Sequence, residues 1–187
     1  MVLHGSAIRP VPPFARVRRE ILEEIERELG RDGDEARAEL DLAFGRFERT
    51  QPQLAERIGG VLSGQLEEPA LALGYFLSIV VWLAFERSFG ARLAEVAADE
   101  LLDTLTSLNV EEELVAQRLR AGVPPGVLLE RAQPDVASFV GEHVAVALEA
   151  SGVDARGVHL VHRAVVELSL ALSFAVAPAG HVEHKPD

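Results

Sequence analysis

The chain has 187 residues, with 30 Asp/Glu against 18 Lys/Arg, a formal net charge of −12 and no cysteine. That acidity argues against a nucleic-acid partner, whose phosphates it would repel, and the missing thiols exclude disulfides, thiolate metal sites and a cysteine nucleophile. The length suits one packed domain, and 48% hydrophobic but only 5% aromatic residues require a core of Leu, Val and Ala, which favours helix.

Residues 1–13 lack the apolar run of a secretory signal, so a cytoplasmic location is expected. Pro10, Pro12 and Pro13 make this stretch an extended arm. A first helix follows over Phe14–Leu29, with Phe14, Val17, Ile21, Ile25 and Leu29 as its apolar stripe and Gly30 as its stop. Asp34 caps a second helix that places Leu40, Ala43, Phe44 and Phe47 on one side. Gln51-Pro52 separates it from a third, whose inner face holds Leu54, Ile58, Leu62 and Leu66.

The stretch 69–85 organises the rest, because it carries no charge and is apolar all round. A helix of that kind is normally a buried one, so it becomes the central post. It falls short of the roughly 20 apolar residues of a membrane span, and no membrane is expected. Gly90 closes the post. A fifth helix then covers about 91–107, and Asn109 caps a sixth with Glu111, Glu112 and Glu113 in its first turn. The break at 122–126 leads through a short helix, 127–132, to an eighth over Pro134–Ala150. A ninth runs from Ala155 to about Ala177 and loses all charge after Glu167. Residues 181–187 form a frayed tail.

The pattern therefore predicts an all-α, single-domain bundle of about seven to nine helices over 14–180, around the buried helix at 69–89. Small residues recur at four-residue spacing on the post (Ala70, Gly74, Ser78) and on the last helix (Ser169, Ser173, Ala177). This predicts that the two helices are neighbours, or that each meets the glycines at 60 and 64. No repeat of solenoid period is present.

Two constellations could carry chemistry. Glu100 and Asp103 stand three residues apart on one helix face, where both carboxylates could share a Mg²⁺. The run from Glu100 to Asn109 loosely resembles the E-x-x-D helix of all-α nucleotide pyrophosphohydrolases of the MazG type, although no E-x-x-E precedes it between Pro69 and Gly90. The other constellation is histidine. His159 and His162 are a candidate metal pair, and Arg156 with His162 is similar in spacing to the Arg/His pattern of HEPN-type ribonucleases. His143 and His162 lie equally far from the turn at Gly152-Val153, so an antiparallel hairpin brings them level, either as a hydrogen-bonded pair or as metal ligands. The expected function is a non-catalytic helical protein that works by contact, with itself or a protein partner, and without a cofactor. The alternative is a metal-dependent hydrolase of phosphorylated small molecules using Glu100 and Asp103.

Overall fold

The uncharged stretch at 69–85 lies at the centre of the molecule, but a second helix shares that place. The computed structural model describes residues 7–30, 34–63, 66–120, 128–150 and 153–180. Among them are eight α-helices: α1 (Arg19–Leu29), α2 (Asp34–Thr50), α3 (Pro52–Ser63), α4 (Glu68–Phe89), α5 (Ala98–Arg120), α6 (Leu128–Ala132), α7 (Pro134–Glu149) and α8 (Ala155–Phe174). The only β feature among the described residues is one antiparallel bridge, Leu93 to Val176. The protein is an all-α, single-domain bundle, as the residue spacing predicts.

Helices α4 and α8 pack along each other, and the remaining helices surround them. Residues 77–85 of α4 and 164–173 of α8 are buried without interruption. Close approach rests on missing side chains. A Cβ at Gly157 would lie 3.0 Å from Ala70 Cβ, and one at Gly74 would lie 2.6 Å from Leu62 of α3 and 3.4 Å from Val161 of α8. Both helices have windows apolar enough for a membrane span, yet 61% and 67% of those windows are buried inside the fold. Gly60 faces open space and marks no helix approach, while Gly64 lies outside the described residues. Gly90 closes α4 with φ of 52°, the left-handed region where a side chain would be strained.

Four boundaries differ from the sequence reading. The first helix starts at Arg19, because Pro13–Ala15 form only a 3-10 turn and residues 16–18 are extended. Phe14 is consequently 41% exposed instead of buried in a stripe. The predicted fifth and sixth helices are one, α5, since no Gly or Pro interrupts 98–120. Asn109 is no cap; its Oδ1 accepts from Arg163 on α8. The helix predicted from Ala91 begins at Ala98, and α8 stops at Phe174, because both flanking segments are held extended. Ala94 N donates to Ala175 O (3.0 Å) and Ala177 N to Arg92 O (2.8 Å). The break at 122–126 and the tail 181–187 lie outside the described residues.

Those extended segments are gripped by two buried glutamines in the same way. Gln133 Nε2 donates to Ala15 O (2.7 Å) and Ser173 Oγ (2.8 Å), while its Oε1 accepts from Val17 N (2.9 Å). Gln51 Nε2 donates to Ala94 O (2.9 Å), and its Oε1 accepts from Val96 N (2.8 Å). Each clamp thus holds an Ala-x-Val segment that leads into a helix, α1 or α5. Each glutamine also stands just before the proline that opens α3 or α7.

This correspondence extends along both halves of the chain. Glu48-Arg49-Thr50-Gln51-Pro52 is matched by Glu130-Arg131-Ala132-Gln133-Pro134, and Val80-Val81-x-Leu83 with Ser88-Phe89 by Val165-Val166-x-Leu168 with Ser173-Phe174. Contacts follow the same plan: α1 packs on α4 and α7, and α5 on α8 and α3. The two halves are therefore two versions of one unit, roughly 80 residues apart. They are paired reciprocally, so that the glutamine of each holds the leading segment of the other.

Gln133→Leu keeps the volume but strips partners from a buried N–H and a buried C=O. Unsatisfied groups of that kind cost about 1–3 kcal/mol each. We expect urea denaturation to show a loss on the order of 3 kcal/mol. A variant as stable as the parent contradicts the clamp.

Candidate functional site

Glu100 and Asp103 occupy the first turns of α5, where acidic side chains complement the helix dipole. Both are exposed, and both line a cleft of about 530 Å³ closed by Ala7–Arg9 and by Phe174 at the end of α8. The Arg9 guanidinium lies 4.1 Å from the Phe174 ring centroid, which puts a cation in the same cleft as the two carboxylates. Thr104, buried beneath them, donates its hydroxyl to Glu100 O at 2.9 Å. Among the described residues no three His, Asp or Glu side chains converge as a metal-binding group.

The histidines are not brought together. His143 Nδ1 lies 2.9 Å from Phe139 O and its Nε2 lies 2.8 Å from Glu26 Oε1 on α1. Its ring packs on Phe139, with centroids 4.3 Å apart, and near Phe76 of α4 at 6.1 Å. Both nitrogens are therefore engaged away from α8, and the level pairing with His162 is not formed. The reason is the packing of α7, which contacts α1 and α6 as well as α8, so its histidine face turns to α1.

His162 is half-buried on α8, and His159, three residues earlier, is exposed. Burial pushes the His162 imidazole below its ordinary value of 6.5, and the neighbouring His159 lowers it further.

The strongest polar cluster is one that the sequence did not single out. Glu167 is fully buried in α8, and Arg57 of α3 meets it with two hydrogen bonds, 2.8 and 2.9 Å. Arg163, one turn earlier, donates to the same carboxylate at 3.0 Å. Its other nitrogens reach Glu112 (2.9 Å) and Asn109 (2.8 Å) on α5. Glu167 raises the Arg57 guanidinium above its already high ordinary value. The network ties α3, α5 and α8 together, and its chemistry is structural: every oxygen of Glu167 is occupied by a guanidinium. The sequence signal was a lone Glu followed immediately by the longest uncharged run of its helix.

Comparison with known protein families, curated proteins and solved structures gives no match.

The shifted His162 makes stability depend on pH. Because its folded-state value lies below the unfolded one, the unfolded chain binds the proton more readily between the two. Stability conferred by the neutral ring is complete above about pH 6.5 and is lost as pH falls below it. We expect the melting temperature to fall on acidification through this window, and the fall to be smaller in His162→Gln. Parallel pH profiles for the two proteins contradict this assignment.

Proposed function

We propose that the chain is a non-catalytic helical protein that works through contact, with a second copy of itself as partner. The observation that supports this reading is the outer face of α2. Between α2 and α4 runs a largely apolar groove of about 300 Å³, lined by Leu40, Phe44, Tyr75 and Ile79 together with Asp41. The Phe44 and Tyr75 rings meet edge to face at 5.5 Å and form its floor. On the same helix Leu42 projects with 70% of its surface exposed. An exposed apolar groove of this kind suits an isologous pair in which two copies meet groove to groove, whereas Leu42, two positions from both Leu40 and Phe44, points away from it. In this reading the protein is cytoplasmic, requires no cofactor, and binds neither nucleic acid nor membrane. The conspicuous ionic groups act as ties between helices: Arg57–Glu167, Arg163–Glu112, Arg19–Glu142 and Arg87–Glu28.

A second reading keeps Glu100 and Asp103 as ligands of a divalent metal in a hydrolase of phosphorylated small molecules. It is favoured by one observation, that both carboxylates line a single cleft together with Arg9. A native mass spectrum taken with and without added Mg²⁺ separates the two. The first reading expects a dimer that Leu40→Glu, in the groove wall, converts to monomer, with no metal adduct. A monomeric parent overturns it, and a stoichiometric adduct abolished by E100Q/D103N establishes the second.

A further inference from the structure

The net charge of −12 conceals one place where positive charge collects. A cleft of about 720 Å³ opens between the start of α1 and the end of α4. Arg16, Arg18, Arg87 and Arg92 all line it. Arg87 is matched by carboxylates, Glu28 and Glu24. The other three are not: the Arg16 guanidinium donates only to the backbone oxygen of Arg131 (3.4 Å), that of Arg92 lies over the Phe89 ring at 5.4 Å, and the Arg18 side chain has no hydrogen bond or ion pair among the described residues. The one carboxylate in the wall, Asp135, already accepts from Arg19 N at 3.1 Å. Ser88 lines the same wall, and its buried hydroxyl has no partner among the described residues.

We propose that this cleft binds a small phosphate-bearing polyanion. Three uncompensated guanidiniums facing one occupied carboxylate leave an excess that a single monoanion does not neutralise. The guanidinium fork matches phosphate oxygens in paired hydrogen bonds, and a hydroxyl donor beside it supplies a further contact. The volume lies within the roughly 300–1,000 Å³ of small-molecule sites. Phe14, 41% exposed at the mouth, gives the ligand an apolar wall.

The other half of the chain shows that the fold does not require these arginines. There the related cleft ends on Phe174 where this one ends on Phe89, each ring covered by an arginine, Arg9 or Arg92. Along the matched segments, however, Glu95 stands for Arg16, Ala97 for Arg18 and Leu172 for Arg87. Ser173, the counterpart of Ser88, has its hydroxyl fully engaged with Gln133 and Ser169. The matched positions leading to Phe174 are thus acidic or apolar, whereas those leading to Phe89 are basic.

Isothermal titration calorimetry of the full chain with pyrophosphate tests this directly. The result expected is saturable one-to-one binding that weakens as salt is raised and is reduced about tenfold or more in R18S/R92S. R9S, in the opposite cleft, should bind as the parent does. The R16S/R18S pair, both exposed, serves as a second variant and should show the same loss with an unchanged melting temperature. Absence of saturable heat overturns the proposal, as does equal binding by parent and a folded arginine variant.

Discussion

Everything in this fold depends on two helices that have nowhere to be but inside. α4 is apolar around its circumference from Pro69 to Phe85 and α8 is so after Glu167, and each hides its surface chiefly against the other. Burial of that kind is non-directional and says only that the helices must be covered. Register comes from the small residues. Ala70 against Gly157, and Gly74 against Leu62 and Val161, bring the backbones to distances that larger side chains would forbid. Once the pair is set, the amphipathic helices α1, α3, α5 and α7 each have a defined surface to lie on.

Covering an apolar pair creates a second problem, since the chain must also enter and leave the core without stranding its backbone polar groups. The molecule solves it twice with the same residue. A glutamine side chain holds an amide nitrogen donor and a carbonyl acceptor at fixed separation, so it mimics a peptide group and pairs with an extended segment as a strand would. Gln51 and Gln133 do this for Val96 and Val17, each reaching from one half of the chain into the other. The halves are interlocked by these contacts and by the bridge between Leu93 and Val176. Glu167 is the asymmetric addition. Removing a carboxylate from water is costly, and two guanidiniums with good geometry offset the cost while selecting one arrangement of α3, α5 and α8.

Fold class was legible because three- and four-residue spacing runs through nearly every segment, and the burial of 77–85 followed from the lack of charge over 69–85. Segment ends were less legible. Nothing local to residues 16–18 or 93–97 opposes helix; what holds them extended is a glutamine more than forty residues away in one case and more than a hundred in the other. The duplication was present in the letters, in the two Glu-Arg-x-Gln-Pro runs, but its spacing drifts by several residues and lies far above the periods of solenoid repeats. For the site residues, sequence placed Glu100 and Asp103 on one face, and the structure places both in one cleft. Equidistance from a turn carries no information on the direction His143 faces, and that direction depends on α1. The arginine cleft was invisible for a similar reason: its walls come from the start of α1, the end of α4 and the start of α7, while the composition averages to strongly acidic.

The central claim is that the two halves are paired reciprocally about the α4–α8 contact, with residues 93 and 176 directly opposed where the chain leaves each helix. The hydrogen bonds on either side make Leu93 and Val176 a non-hydrogen-bonded antiparallel pair, the type in which side chains stand closest. The chain has no cysteine of its own, so Leu93→Cys/Val176→Cys would contain its only two thiols. Under mild oxidation the account predicts a complete intramolecular disulfide in the folded protein, with helical content unchanged. Two thiols that remain free in a folded chain, or that link only between molecules, would contradict it.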